Sequence, residues 1–274
     1  MDKKGGNDLT IKVAIAGARG RLGSAALTAI MKAPNMELVA VLDYKYEGQY
    51  LHGTEVNDDP SGIPIYTSLE KLAAANKPDV LLDVTDPDAV FKNVHDAITL
   101  GIRPVVGTSG LSKGNIALLT DLAAKNQIGG IIAPNFSIGA VLMMKFSAVA
   151  ARYLGDIEIL EMHHDNKVDA PSGTAVKTAE MISEVRDSHK QGHPDEKEHQ
   201  AGARGADFEG MKIHSIRLPG LLAHQQVLLG GEGELLSIRH DSFDRKSFSP
   251  GILMAIHNVM ERLDLVYGLE NIID

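Results

Sequence analysis

Residues 11–33 read IKVAIAGARGRLGSAALTAIMKA, and no other stretch restricts the possible folds so tightly. IKVAIA is a short unbroken apolar run, as in a strand buried on both faces of a parallel sheet. GARGRLG interrupts it, and SAALTAIM resumes at helical period. Strand, glycine turn and helix together cradle a pyrophosphate. Glycine lets the backbone approach the phosphates, and the helix N-terminus supplies N–H donors. Gly17, Gly20 and Gly23 form a GxxGxxG variant of the usual GxGxxG. That spacing alone also suits a tight turn with no ligand. It gains meaning from a second apolar run, ELVAVLD, which ends at Asp43. A carboxylate there can accept from both ribose hydroxyls of an adenosine. Asp43 repels a 2′-phosphate and favours NADH, whereas Lys45 can pair with that phosphate, which keeps NADPH usable.

The alternation continues down the chain. Residues 44–62 read as a polar, glycine-rich loop. IPIY and SLEKLAAAN follow as strand and helix, then the buried strand PDVLLDVTDP, with Pro87 opening the helix DAVFKNVHDAI. IRPVVGTSG, SKGNIALLTDLAAKN and IGGIIAPNFS supply a further strand, helix and strand. Such alternation implies a parallel sheet with right-handed crossovers. Ligands of such sheets bind beyond the carboxyl ends of the strands, which puts VTDP, GTSG and APNFS on one rim with GARGRLG. Each of these could be only a turn. Their agreement in position favours a nicotinamide cleft.

After Asn135 the pattern changes. SIGAVLMMKFSAVAARYL reads as a long apolar helix, and DIEILEMHH as a strand entering EMHHDNKVDAPSGTA at 161–175. His163, His164 and Lys167 place three potential cations within five residues. Ser172, Gly173 and Thr174 then open a helix whose free N–H groups and dipole attract anions. Cations upstream and a helix start downstream describe a pocket for a substrate bearing carboxylates. A surface loop with two incidental histidines is the plainer alternative. Adjacent strand histidines point to opposite faces and cannot easily share a metal ion, and no HExxH is present, so no metal is expected. Residues 186–205 read as a mobile loop and a candidate lid, with His189, His193 and His199 solvated. The runs MKIHSIRLPG, HQQVLLGG and ELLSIRHDS follow without helices between them, as in an antiparallel or mixed sheet. PGILMAIHNVMERLDLV reads as a final amphipathic helix.

Composition excludes several classes. A formal net charge of -9 gives nucleic acid no basic face. The absence of cysteine removes disulfides and thiolate metal sites and fits a reducing cytoplasm. The polar opening MDKKGGNDLT has no signal-peptide core, and the most apolar later run, 128–154, is interrupted by charged residues and is no membrane span.

The chain resembles the 4-hydroxy-tetrahydrodipicolinate reductases, also called dihydrodipicolinate reductases. The residues that carry the resemblance are VAIAGARGRLG, VTDP, GTSG, APNFS, EMHHDNKVDAPSGTA, IHSIRLPG and LLSIRHDSFDRKSF. It implies an α/β fold: a Rossmann-type parallel-sheet dinucleotide-binding domain, 1–134 and 243–274, and an α+β substrate domain with an open mixed sheet, 135–242. It implies NAD(P)H-dependent reduction of a ring dicarboxylate in lysine and diaminopimelate biosynthesis by a cytoplasmic homotetramer. Gly17, Ala18, Arg19, Gly20, Arg21, Leu22, Asp43, Gly107, Thr108, Ser109, Ala133, Pro134, Asn135 and Phe136 match the family's dinucleotide-binding positions. His163 matches the proposed proton donor or acceptor, Lys167 the proposed proton donor, and His164, Gly173 and Thr174 the substrate-carboxylate contacts. Two departures stand out. Asp43-Tyr44-Lys45 replaces an acidic residue followed by Arg, and the third residue of GTSG is Ser where Thr is common. Another nicotinamide dehydrogenase on this scaffold is the alternative, and a catalytically silent dinucleotide sensor a further one. The intact HHDNK segment argues against both.

Overall fold

A computed structural model describes residues 10–273. The polar segment 1–9, read above as lacking a signal core, and Asp274 lie outside the described residues. The first elements are β1 (Ile11–Ala16), α1 (Arg21–Lys32), β2 (Met36–Leu42), β3 (Tyr50–His52), β4 (Glu55–Asn57), β5 (Ile63–Tyr66) and α2 (Leu69–Asn76). Next come β6 (Val80–Asp83), α3 (Val90–Thr99), β7 (Arg103–Val106), α4 (Lys113–Asn126), β8 (Gly130–Ile132) and α5 (Ile138–Ala151). The remainder are β9 (Asp156–His163), α6 (Gly173–Ser183), β10 (Ala206–Phe208), β11 (Met211–Arg217), β12 (Ala223–Gly231), β13 (Glu234–Ser242), α7 (Ser249–Val259) and β14 (Leu265–Tyr267). The chain forms two compact units, one of residues up to 136 and from 248 onward, the other of 137–247.

The first unit is built on a nine-stranded sheet ordered β14-β8-β7-β6-β1-β2-β5-β3-β4. Val13, Ala14, Ile15 and Ala16 of β1 have no exposed surface, because helices cover both faces. Strand order reverses beside β1: it pairs in parallel with β2 on one side and β6 on the other. That reversal opens a crevice at the carboxyl ends of β1 and β6. Helix α3 shows how the layers hold. Val90, Val94 and Ile98 recur on one face and pack with Leu119 and Ala123 of α4 over Val106 and Ile132. Burial of each such side chain stabilises by about 1.5–3 kcal/mol.

Three details differ from the sequence reading. Residues 44–62 contain the antiparallel hairpin β3–β4, joined to the sheet through β5. Pro87 lies in a turn before α3 rather than in it, because the Asp86 carboxylate accepts from the N–H groups of Asp88 and Ala89 and delays the helix to Val90. The run expected as one final helix stops at Val259, and Leu265–Tyr267 extends in parallel along β8. Pairing with an exposed strand edge outweighs local helical preference there.

The second unit is a five-stranded mixed sheet, β10-β11-β9-β12-β13. Strand β11 runs parallel to β9, and β12 antiparallel to it. Ile157 and Ile159 pack against Ala175, Ala179 and Ile182 of α6. Along β13 the residues from Glu234 to Ser237 are exposed. The segment 186–205 is tied to β9. Gln191 is buried, accepting from the Ile157 N–H at 2.8 Å and donating to its carbonyl at 2.9 Å. Arg186 donates to the Gly155 and Glu209 carbonyls, and Arg204 pairs with Glu158 at 2.7 Å. Of the histidines expected to be solvated, His189 reaches Asp156 at 2.8 Å. Among the described residues no helix is long and apolar enough to cross a membrane, and no cluster of three His, Asp or Glu could hold a metal ion.

Candidate active site

The residues singled out in the sequence fall into two groups, one in each unit.

In the first unit a cleft of about 480 Å³ lies over the crevice between β1 and β6, lined in part by Gly17, Arg19, Gly20, Asp43, Thr85 and Asp86. Gly17 has φ +85, and a Cβ there would meet the Val84 carbonyl oxygen at 2.6 Å. A Cβ on Gly23 would run into the carbonyl of Gly17. Only bare backbone fits, which is the surface a pyrophosphate requires. Ala18 is buried beneath the turn, whereas Arg21, the first residue of α1, is exposed. Arg19 Nε donates to Asp43 at 2.7 Å, and its guanidinium lies 4.8 Å from the Tyr46 ring centre. The Lys45 N–H donates to the same carboxylate at 3.0 Å, while its ammonium sits over Tyr44. Asp43 is therefore shared between the Arg19 guanidinium and a loop amide.

Gly107, Thr108 and Ser109 follow β7, and Ala133 to Phe136 follow β8. A Cβ on Gly107 would strike the Phe136 ring at 2.5 Å, so these two loops touch. Ala133 and Phe136 are buried, and Pro134 and Ser109 are exposed. Beneath them lies Asp83, a residue the sequence reading passed over. Fully buried, its carboxylate accepts from the hydroxyls of Thr85 and Thr108, at 2.8 and 2.6 Å, and from the Asn93 amide at 2.8 Å. A charged residue closing the apolar run VLLD was the available signal.

In the second unit His163 ends β9. Its Nδ1 lies 2.6 Å from Glu161 Oε2. Arg217, at the end of β11, grips both oxygens of Glu161 at 2.9 and 2.7 Å and donates to the Asp169 carbonyl at 2.7 Å. The Ser172 N–H donates to Glu161 Oε1 at 3.2 Å, so one buried carboxylate joins β9, β11 and the loop entering α6. Burial pushes that carboxylate up, but the bonds from His163 and Arg217 prevail and hold it down to about 2. Lys167 donates to Asp169 Oδ1 at 2.6 Å, which keeps the Asp169 carboxyl below its ordinary range. Ser172 caps α6 by accepting from the Ala175 N–H at 3.2 Å, leaving Gly173 and Thr174 as the first helical residues. A Cβ at Gly173 would meet nothing within 4 Å, so its backbone faces open space. His164 follows directly after β9 and is partly buried. Glu161 could have been found from the sequence, since residues two apart on a strand share a face. Arg217 could not.

Known proteins share the sequence and the fold of this chain. A family model described as dihydrodipicolinate reductase, N-terminus, matches residues 11–136, and its C-terminal counterpart matches 139–273. A 4-hydroxy-tetrahydrodipicolinate reductase of Lysinibacillus sphaericus is 55% identical over 97% of this chain and 100% of its own. A dipicolinate-bound dihydrodipicolinate reductase from Paenisporosarcina sp. TG-14 superposes with a TM-score of 0.88 at 54% identity, covering 96% of this chain and 100% of its own. The DAP dehydrogenase of C. glutamicum, 13% identical with a TM-score of 0.57 over 96% of this chain and 94% of its own, shares the fold alone.

Proposed function

The chain belongs to the dihydrodipicolinate reductase family, and on that premise we propose which of its groups carry the family's reaction. It is an NAD(P)H-dependent oxidoreductase that reduces 4-hydroxy-tetrahydrodipicolinate to tetrahydrodipicolinate with loss of water, a step of lysine and diaminopimelate biosynthesis. A hydride and a proton enter the substrate, and a water leaves it. The bound dinucleotide supplies the hydride. What the protein must add is orientation, charge neutralisation and a positioned acid.

The observation that carries the assignment is the stretch 161–175, where His163, Lys167 and the start of α6 follow one another within one braced loop. His163 exchanges the proton, as an imidazole suits near neutrality. Lys167 neutralises a carboxylate and donates a proton. His164 and the N–H groups of Gly173 and Thr174 hold the substrate's carboxylates at the helix start. Dipicolinate in the Paenisporosarcina relative is a ligand of the same dicarboxylate class. The dinucleotide lies along Gly17 to Leu22, Asp43, Gly107 to Ser109 and Ala133 to Phe136. The direct assay follows NADH or NADPH oxidation by its near-ultraviolet absorbance, with substrate generated in situ by the preceding synthase. No substrate-dependent oxidation of either cofactor would refute the activity.

Cofactor choice rests on the Arg19–Asp43 pair. Asp43 accepts from the ribose hydroxyls of NADH. Arg19, released from Asp43, pairs with the 2′-phosphate of NADPH, so NADH is favoured and NADPH is used. Asp43→Ala therefore raises KM for NADH more than for NADPH, and Arg19→Ala does the reverse. Side-by-side kinetics with both cofactors check this, and Michaelis constants that move together would show that neither residue reads the 2′ position.

The exposed stretch of β13, with Leu235 at 65% and Leu236 at 39% exposure, supports a homotetramer joined through the open sheets. The cysteine-free composition supports a cytoplasmic location. We assign dinucleotide binding to the first compact unit, and substrate binding and oligomerisation to the second; the bounds read from the sequence, 1–134 with 243–274 and 135–242, lie near the unit boundaries at 136/137 and 247/248.

A further inference from the structure

We infer that Glu161 is a positioning residue of this reduction. Its buried carboxylate holds His163 in the tautomer with the proton on Nδ1, and leaves Nε2 as the ring nitrogen that exchanges a proton with substrate. The inference rests on the reading that His163 performs that exchange.

Hydrogen-bond bookkeeping carries the argument. Around the two oxygens of Glu161 stand Arg217 Nη1 and Nη2, the Ser172 N–H, the Ser215 hydroxyl and His163 Nδ1. The Arg217 guanidinium spans both oxygens and the Ser172 N–H adds a third donor with no lone pair, so these contacts hold Glu161 as the carboxylate rather than as an acid that could give its O–H to Nδ1. The carboxylate is thus an acceptor only. At 2.6 Å from such an acceptor, His163 Nδ1 must be the N–H. A neutral imidazole carries a single proton, and Glu161 fixes it on the inward nitrogen. Nε2 then holds the lone pair, takes a proton from solvent and passes it to substrate. Each turnover returns the ring to the same tautomer, because the proton stays on Nδ1, donated to Glu161 throughout. The His163 side chain is 15% exposed and Glu161 has no exposed surface, so the ring reaches solvent while its partner carboxylate stays enclosed.

Arg217 and Ser172 make this more than a pairwise contact. They hold the carboxylate at a fixed angle to β9, so the imidazole is oriented as well as tautomerised. The same carboxylate also locates the start of α6 through Ser172. One group therefore sets the proton-exchanging atom and the carboxylate-binding helix start in common register.

The test combines ring nitrogen NMR on histidine-labelled protein with steady-state kinetics. Wild-type His163 should show the pattern of a protonated Nδ1 and an unprotonated Nε2. In Glu161→Gln an amide N–H₂ confronts donors, and kcat should fall about a hundredfold or more, with KM for NADH unchanged. Glu161→Asp, which keeps the charge, should recover part of the loss. A wild-type His163 with its proton on Nε2 overturns the inference, and that measurement needs no variant to fold. Loss of turnover in His163→Asn together with wild-type kcat in a folded Glu161→Gln overturns it alone. Wild-type turnover in His163→Asn sinks the reading of His163, and this inference with it.

Discussion

Lys167→Ala should lower turnover by about two to four powers of ten, the range for losing a positioned acid. The ammonium is held by Asp169 at 2.6 Å with its side chain 20% exposed, so it is both oriented and reachable. Its removal takes away a proton donor and also leaves Asp169 facing an anionic substrate, so KM for substrate should rise as well. NADH binding should hardly change, since the residue belongs to the second unit. The fold should be nearly unaffected, because a partly exposed ion pair contributes at most about 1 kcal/mol. Lys167→Arg separates the two roles. A guanidinium restores the charge but cannot give up its proton near neutrality, so substrate binding should recover and turnover should not. Wild-type turnover in Lys167→Ala, measured by NADH oxidation, would remove Lys167 from the mechanism.

Arg217→Ala should cost about 3–5 kcal/mol of stability, because it strands the buried Glu161 carboxylate without its cation. Losing the bond to the Asp169 carbonyl also loosens the loop that carries Lys167. The wild-type protein carries a matching pH signature. Glu161 is held at about 2, below the ordinary carboxylate value of 4.5, so the folded state binds fewer protons than the unfolded state between those values. Its contribution is complete above 4.5 and fades as pH falls through 2. Urea unfolding of the wild type should therefore weaken across that window. The gap between wild type and Arg217→Ala should be widest near neutrality and narrow on acidification. A gap that stays constant down to acid pH would mean that the Arg217–Glu161 pair is not its source.

The glycine turn, the alternating strands and helices, and the cation-rich stretch 161–175 were legible because each is local. Gly17 and Gly23 announce a backbone that must pass close to other backbone, and Ser172-Gly173-Thr174 announces a helix start. The missed parts depend on pairing across distance. Arg217 lies 56 residues from Glu161 and meets it only because β11 runs parallel to β9. Strand β14 was hidden in a run with helical spacing, and only the free edge of β8 makes it extend. The segment 186–205 looked unattached because its partners are distant in sequence: the main-chain atoms of Ile157 and Gly155, which no side-chain pattern reveals, and the carboxylates of Asp156 and Glu158. Asp83 was readable as an anomaly, a charge closing a buried strand, but its partners on three separate segments were not.

Asp83 has a practical consequence for anyone who would transplant or redesign this rim of the parallel sheet. Thr85, Asn93 and Thr108 all spend their polar atoms on a single carboxylate, so they behave as one cassette with Asp83 rather than as exchangeable loop residues. A chimera that imports the turn after β7 without a hydroxyl at 108 removes one of that buried anion's donors, at about 1–3 kcal/mol. Swapping Asp83 for an apolar residue orphans the other three at once. Recombination breakpoints between 83 and 108 should therefore be poorly tolerated even where backbones superpose, whereas exchanges that carry the whole interval together should keep both the fold and the cofactor.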